Sequence, residues 1–281
     1  MTLGTRIAHG REAEVYAWTG VPNAVVKLYR AGFTGGRAEV AALRGLAGSG
    51  VAPKLLDVVE VDGRTGLVLE RLDGADLLSV LQHRPWRVGV LARELAGAAL
   101  RLHRVAAPAE LPDLKEMLAE RIDAAGLDPA LRDHTLRVLD GLPAGDRLCH
   151  GDLHPGNAVR TAAGVSIIDW PGASRGVPSA DLARSLFLLR LADPLPDTAW
   201  TMRVIMATGR YAFAAAFARA YRRGAAQPLD RIDEWLLVHT AARLAEGVPA
   251  ERDRLVAAVV AHAASPARAA GTTPQGARTN G

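Results

Sequence analysis

Residues 150–157 read His150-Gly151-Asp152-Leu153-His154-Pro155-Gly156-Asn157, and a second short run, Ile167-Ile168-Asp169-Trp170, follows them. Glycine and proline in the first run are typical of a loop that carries polar side chains. The second run continues a strand-like apolar segment, which places Asp169 where that strand ends. The chain therefore presents three oxygen-bearing side chains, those of Asp152, Asn157 and Asp169, in two short loops.

These three side chains suit phosphoryl transfer from ATP. Such a reaction needs a group that accepts the proton of the acceptor hydroxyl, and oxygen ligands for Mg²⁺ on the phosphates. Asp152 can orient a hydroxyl and take its proton, while Asn157 and Asp169 offer a neutral and a charged oxygen to the metal. The alternative is an ordinary turn before a strand, which the presence of both runs in this order disfavours.

The residues upstream of these runs predict a small sheet with one helix. β-branched and aromatic segments predict strands at 14–18, 24–29, 55–61 and 65–72, with Asp62-Gly63 as a hairpin turn. A helix is predicted over 37–46 from its apolar spacing.

After Asp73-Gly74 the spacing becomes helical. Helical segments are predicted at 86–104, 113–140, 179–192, 198–223, 230–245 and 250–264. We therefore expect an N-lobe over residues 1–72, a helical C-lobe over 73–264, and a disordered tail over 265–281, which is rich in Pro, Gly, Thr and Ala.

Composition excludes several classes of protein. The chain has 281 residues with 49% hydrophobic and 23% charged residues, and its net charge is +4. Arg268 and Arg278 in the tail contribute half of that excess, so no basic block predicts a nucleic-acid partner. The single Cys149 excludes an internal disulfide, and neither a signal peptide nor a membrane-spanning run is present. A soluble cytoplasmic protein without a membrane partner is expected, and the sequence does not reveal its oligomeric state.

The pattern His-Gly-Asp-x-His-x-x-Asn followed by Ile-Asp-Trp resembles the aminoglycoside phosphotransferase and choline kinase group, over roughly residues 8–262. The resemblance implies an α+β, bilobal protein-kinase-like fold with a small antiparallel-sheet N-lobe and a larger, mainly helical C-lobe. It implies that Asp152 is the catalytic base and that Asn157 and Asp169 bind the metal. His150 and Asp181 would support the catalytic loop.

The resemblance also implies a nucleotide site in the N-lobe. Ala24-Val25-Val26-Lys27 is similar to the kinase strand whose lysine holds the α- and β-phosphates of ATP, and Glu39 stands where the family places its partner. Lys27 is one of only three lysines in the chain. The backbone of Glu70 and Leu72 would contact adenine. The turn after Gly10 lacks the full glycine pattern of a phosphate-binding loop.

Two departures from protein kinases favour a small acceptor. Gly151 replaces the arginine of the protein-kinase loop, and only eleven residues separate Asp169 from Asp181. A cationic acceptor would require carboxylates near Asp152. The candidate substrate residues are Asp193, Asp197, Asp230, Asp233 and Glu234.

The leading hypothesis is an ATP- and Mg²⁺-dependent O-phosphotransferase that inactivates a small cationic antibiotic and so confers resistance. The acceptor would be an aminoglycoside or a cyclic peptide, since the length and the N-terminal pattern also resemble the capreomycin phosphotransferase type. One alternative is a kinase of a small metabolite such as an amino sugar or a choline-like alcohol. Another is a nucleotide-binding pseudokinase without an acceptor.

Overall fold

A computed structural model describes residues 3–10, 12–191, 200–226 and 229–264 of the chain. The predicted tail therefore lies outside the described residues. None of the described helices combines the length and the apolar character that a membrane crossing requires.

The N-terminal part is a five-stranded antiparallel sheet with one helix. Its elements are β1 (Leu3–His9), β2 (Ala13–Trp18), β3 (Ala24–Tyr29), α1 (Gly36–Gly45), β4 (Leu55–Val61) and β5 (Arg64–Glu70). The strand order is β1-β2-β3-β5-β4. The predicted hairpin turn is confirmed, because Asp62 and Gly63 have positive φ angles of 51° and 70° between β4 and β5. β1 was not predicted.

Alternation along β3 determines which of its side chains can reach the rest of the molecule. Ala24 and Val26 belong to a small apolar cluster on one face of the sheet. Lys27 and Tyr29 are two residues apart, so their side chains share the opposite face, and Tyr29 belongs to the largest buried cluster. That cluster also contains Trp170 and residues of the helical part, which joins the two parts through one core.

The C-terminal part is mainly helical. Its helices are α2 (Leu77–His83), α3 (Val88–Leu102), α4 (Leu114–Ala124), α5 (Pro129–Asp140), α6 (Pro178–Leu191), α7 (Trp200–Gly224), α8 (Ile232–Arg243) and α9 (Pro249–Ala264). Its short strands are β6 (Ala75–Asp76), β7 (Arg147–Cys149), β8 (Ala158–Thr161), β9 (Gly164–Ile167) and β10 (Ser174–Gly176). The chain passes from one part to the other between Glu70 and Ala75, and we propose a domain division between residues 72 and 73.

The prediction of one helical segment over 113–140 was wrong in one respect, because two helices occupy it. Gly126 has a φ of 61°, a conformation that ends a helix readily. Asp128 accepts a hydrogen bond from the Ala130 N–H, and Pro129 follows as the first helical residue. These three residues stop α4 and start α5, although the apolar spacing runs on through both.

Candidate active site

Lys27 makes two ion pairs, one within the N-terminal part and one with the C-terminal part. Its Nζ lies 2.6 Å from Glu39 Oε2 on α1 and 2.6 Å from Asp169 Oδ1 after β9. The Glu39 side chain is 1% exposed and that of Asp169 is 44% exposed. The ion pair expected between Lys27 and Glu39 is therefore present. The Asp169 carboxylate is accessible where the two parts meet, and we call this junction, with Lys27 on one side and Asp152 on the other, the cleft.

The surroundings of Lys27 keep it charged. Burial lowers the pKa of Lys27, but the carboxylates of Glu39 and Asp169 outweigh burial, and the pKa is raised above its ordinary value. The Tyr29 hydroxyl donates a hydrogen bond to the same Glu39 Oε2. Burial, and next the Glu39 charge, raise the pKa of Tyr29, so the phenol stays protonated as a donor. Tyr29 was not predicted as a site residue, and its position two residues after Lys27 was the available signal.

The loop after β7 requires a glycine before Asp152. Gly151 has a φ of 78°, and a Cβ there would lie 2.4 Å from the Gly172 carbonyl oxygen. Any side chain would collide with backbone and would also strain this left-handed conformation. The backbone conformation and the close approach of Gly172 therefore explain why glycine occupies position 151, where protein kinases have arginine.

Asp181 at the start of α6 holds the same loop. Its Oδ2 accepts the His150 N–H at 3.0 Å and its Oδ1 accepts the Gly151 N–H at 2.8 Å. His103 Nε2 lies 3.0 Å from Oδ2. Burial raises the pKa of Asp181, but the contacts with His103, His150 and the Gly151 N–H outweigh burial and lower the pKa to about 2. A buried, ionised carboxylate thus fixes two successive backbone groups of the loop.

His150 connects the two sequence runs, 150–157 and 167–170, through hydrogen bonds to both. Its Nδ1 accepts the Asp152 N–H at 3.1 Å, and its Nε2 donates to the Ile168 carbonyl at 3.0 Å. Burial is the main cause that lowers the pKa of His150, so the imidazole is neutral near pH 7. The Trp170 ring packs against it, with ring centroids 4.5 Å apart.

Arg184 is a further support that the sequence prediction missed. Its Nε donates to the Gly151 carbonyl at 3.1 Å, and its guanidinium also contacts Glu246 at 3.4 Å. It lies three residues after Asp181 on α6, and residues at this spacing share one helix face. That spacing was the signal from which Arg184 could have been found.

Asp152 presents its carboxylate to the cleft. Asn157 Nδ2 donates to the Asp152 carbonyl at 3.0 Å and to Asp152 Oδ2 at 3.1 Å. His154 Nε2 lies 3.6 Å from the same Oδ2, and its Nδ1 accepts the Gly156 N–H. Burial raises the pKa of Asp152, but the contact with His154, together with His150 and Arg184, holds the pKa below its ordinary value. The group is an ionised acceptor with a 43% exposed side chain.

Asn157 and Asp169 fit the chemistry of a magnesium site. The Asn157 amide nitrogen is used by Asp152, and among the described residues its amide oxygen makes no hydrogen bond. Asp169 has a φ of 68°, rare for a residue with a side chain, and only one of its oxygens contacts Lys27. The Ile168 N–H donates to the Asn157 carbonyl at 2.9 Å, which keeps the two loops together. Oxygen donors with room for phosphate oxygens and water are what Mg²⁺ prefers.

The predicted hinge residues differ in their free backbone groups. The Glu70 N–H donates to the Lys54 carbonyl at 2.9 Å and is not available to a ligand. Within the described part of the chain, the Leu72 N–H makes no backbone hydrogen bond. Adenine contacts through the Glu70 carbonyl and the Leu72 N–H therefore stay predictions.

Only three of the five predicted substrate carboxylates lie within the described residues. Asp193 and Asp197 lie outside the described residues. Glu234 pairs with Arg231 at 3.1 Å, and Arg231 also binds the Gly141 carbonyl. Within the described residues, no hydrogen bond or ion pair joins Asp230, Asp233 or Glu234 to residues 150–157.

Comparison with protein families gives one match over most of the chain. The model described as "APH: Phosphotransferase enzyme family" matches residues 4–235, a range that contains Lys27, Asp152, Asn157 and Asp169. A curated relative, a hydroxyurea phosphotransferase from Kitasatospora aureofaciens, is 38% identical over 133 residues. That match spans 43% of this chain and 37% of the relative's length.

Solved structures with this fold come from several kinases. An amicoumacin kinase in complex with AMP-PNP and Ca²⁺ aligns with a TM-score of 0.64 at 18% identity, over 91% of this chain and 86% of its own. A choline/ethanolamine kinase family protein from Mesorhizobium loti aligns with a TM-score of 0.62 at 20% identity, over 94% and 89%. An aminoglycoside-3'-phosphotransferase of type VIII gives 0.58 at 21% identity, over 87% and 92%. These similarities confirm the predicted bilobal kinase-like fold.

Proposed function

The chain belongs to the phosphotransferase enzyme family that its residues 4–235 match, and from that premise we propose an ATP- and Mg²⁺-dependent O-phosphotransferase acting on a small antibiotic. The observation that carries the proposal is a continuous set of contacts across the cleft. Lys27 binds Asp169, the neighbouring Ile168 binds Asn157, and Asn157 binds Asp152. These contacts support the proposal that Lys27 binds phosphate, Asn157 and Asp169 bind the metal, and Asp152 accepts the proton.

The nucleotide would be held mainly from the N-terminal part. Lys27, kept protonated by its two carboxylates, supplies positive charge for the α- and β-phosphates, and Glu39 fixes its direction. The Leu72 N–H can donate to the adenine ring. This arrangement makes phosphate binding depend on the ion pair between β3 and α1.

Asn157 and Asp169 would hold Mg²⁺ through their free oxygens. When bound there, the cation neutralises charge on the phosphates of ATP. The proposed metal pair needs no third protein carboxylate, because phosphate and water complete the coordination of Mg²⁺ in such sites.

Asp152 would act on the acceptor. Its ionised carboxylate accepts a hydrogen bond from the acceptor hydroxyl and so aligns that oxygen with the terminal phosphorus of ATP. As the new P–O bond forms, the bond to the β-phosphate oxygen breaks, ADP leaves, and the hydroxyl proton passes to Asp152. Because the pKa of Asp152 is low, we expect it to receive this proton late, with orientation its larger contribution.

The segment after Asp169 supports a small acceptor rather than a protein. Within the eleven residues before Asp181, Ser174–Gly176 form β10 and pair with β7. Little chain remains for a peptide-docking segment. We infer that the acceptor is a small cationic antibiotic, either an aminoglycoside or a cyclic peptide of the capreomycin or viomycin type, and that the reaction confers resistance to it.

A second acceptor class is favoured by the curated relative. Its name assigns it hydroxyurea, a small uncharged molecule with an N-hydroxyl group. An uncharged acceptor would not need carboxylates beside Asp152. A metabolite such as an amino sugar or a choline-like alcohol stays a third candidate.

The test is a panel of aminoglycosides, cyclic peptide antibiotics, hydroxyurea and metabolite alcohols, each incubated with the chain, ATP and Mg²⁺. Mass spectrometry then measures the gain of one phosphoryl group. Product from a cationic antibiotic supports the first proposal. Product from hydroxyurea alone would show that the acceptor is hydroxyurea and not a cationic antibiotic. Nucleotide binding without product from any compound would contradict both.

A further inference from the structure

A cavity of about 440 Å³ lies outside the cleft, between α2, the turn that follows it, and the strands β6 and β8. Its polar lining consists of Ser79, His83, Arg84, Arg87 and Arg160. Lys27, Asp152, Asn157 and Asp169 do not line it. We call this cavity the arginine groove.

The arginine groove carries positive charge that the described residues do not balance. Its lining contains no carboxylate. Arg160 Nε donates to Glu94 Oε2 at 2.9 Å, which accounts for one of the three guanidinium groups. Among the described residues, Arg84 and Arg87 have no ion pair and no side-chain hydrogen bond. Two guanidinium groups on one concave surface repel each other, and a bound anion would relieve that repulsion.

His83 adds a further polar group to the groove. Its Nδ1 donates to the Ser79 carbonyl at 2.8 Å within α2. This hydrogen bond fixes the tautomer and leaves Nε2 without a partner in the described part of the chain. The ring can therefore offer Nε2 to a protonated oxygen of a ligand.

The hinge segment packs closely against one wall of the arginine groove. Ala75 of β6 pairs with Arg160 of β8. A Cβ at Gly74 would lie 2.1 Å from the Arg160 carbonyl oxygen, so only glycine allows this approach. The guanidinium group of Arg160 is thus carried by a backbone that is fixed on both sides.

We propose that the arginine groove binds a small phosphorylated molecule, at a site separate from the catalytic cleft. Guanidinium groups match phosphate oxygens with two parallel hydrogen bonds, and two unpaired ones suit a ligand with at least two negative charges. The volume lies in the range of pockets that hold small molecules. The ligand is a free phosphate ester or polyphosphate.

The test is calorimetric titration of inorganic tripolyphosphate in EDTA. We expect saturable binding of about one equivalent to the wild-type chain, weakened at least about tenfold in the double variant Arg84→Gln/Arg87→Gln. The matched control is Arg132→Gln/Arg137→Gln on α5, which removes the same charge from a helix that lines neither the groove nor the cleft. Binding in this control should stay within about twofold of wild type.

A third variant separates the groove from the cleft. Lys27→Met removes the proposed phosphate ligand of the cleft, and tripolyphosphate binding should persist in it. Equal weakening in both arginine variants would show a response to net charge and would overturn the proposal. So would undiminished binding in the Arg84→Gln/Arg87→Gln variant, or an absence of binding to the wild type. If Lys27→Met does not alter ATP binding, the proposed role of Lys27 in the cleft is contradicted, whereas the proposal for the arginine groove is not affected.

Discussion

Lys27 on one side of the candidate cleft and Asp152 on the other are held by different kinds of contact. Lys27 is positioned by two side-chain ion pairs, with carboxylates from two other elements. The loop of Asp152 is positioned through its backbone, which Asp181, His150 and Arg184 bind. A substitution around Lys27 should therefore alter nucleotide affinity, whereas one beneath the loop should alter folding.

The comparison predicts its largest effect at Asp152 itself. Asp152→Asn keeps the size of the side chain but removes the proton acceptor, so kcat should fall about 10²–10⁴-fold. The KM for ATP should change little, because Lys27 is untouched. Steady-state kinetics of ATP consumption measures both constants. Asp146→Asn, at a side chain that is 75% exposed, is the control and should retain wild-type rates.

The next largest effect is expected beneath the loop. Asp181→Asn removes a buried charge that binds two backbone N–H groups and His103, and loss of one buried partner costs about 3–5 kcal/mol of unfolding free energy. Urea denaturation measures the difference. Asp133→Asn, 56% exposed on α5, is the matched control. A loss below about 1 kcal/mol at Asp181 would show that the loop is not held as described.

A smaller effect is expected on the Lys27 side. Glu39→Gln removes one of the two charges on Lys27, while Asp169 still contacts it. A hydrogen bond to a charged group contributes about 1.5–3 kcal/mol, so kcat/KM for ATP should fall at least about tenfold, less than at Asp152. Glu120→Gln on the exposed face of α4 controls for the loss of charge. An unchanged kcat/KM in Glu39→Gln would contradict the claim that side-chain ion pairs position Lys27 for nucleotide binding.

The smallest effect is a pH dependence of the free energy of unfolding, which we expect from a residue packed beneath the loop of Asp152. Burial is the main cause that lowers the pKa of His239 to about 3, and its Nε2 donates to the Ala180 carbonyl, beside Asp181. Because the unfolded chain takes up this proton near pH 6.5, stability should be full above that pH and decrease as the pH falls toward 3. One such group gives a slope of about 1.4 kcal/mol per pH unit.

Urea denaturation at pH 7, 6 and 5 checks this slope. His239→Gln should show a shallower dependence, although its stability at pH 7 is lower. The Lys27 side should contribute nothing over this range, because its raised pKa lies far above it. An equal slope in wild type and variant would assign the pH dependence to other groups.

Local patterns in the sequence were enough to find the hairpin at Asp62-Gly63, most helices, and the two runs around Asp152 and Asp169. The family resemblance, rather than a local pattern, predicted the ion pair between Lys27 and Glu39, and the roles of these residues toward ATP stay predictions. Contacts between distant elements were not predictable in this way. Tyr29 and Arg184 acquire their positions only when β3 meets α1 and α6 meets the loop.

The substrate-binding residues were even harder to predict from local sequence patterns. Exposed acidic residues such as Asp230 and Asp233 have no local pattern that separates a substrate ligand from a solvated charge. Their place depends on how α8 and the segment before it pack, so their role toward a substrate stays a prediction. The arginine groove was missed for the same reason, because Arg84 and Arg160 meet only through the pairing of β6 with β8.

The central claim is that the cleft transfers the terminal phosphoryl group of ATP to a small hydroxyl-bearing molecule, and the fate of that group tests it most directly. The measurement follows ATP labelled at its γ-phosphorus through a single turnover with the mixed acceptor panel. The account predicts label in one acceptor, at a rate that Asp152→Asn reduces at least about a hundredfold while ATP still binds. Label that stays in ATP, or appears only as inorganic phosphate, would contradict it.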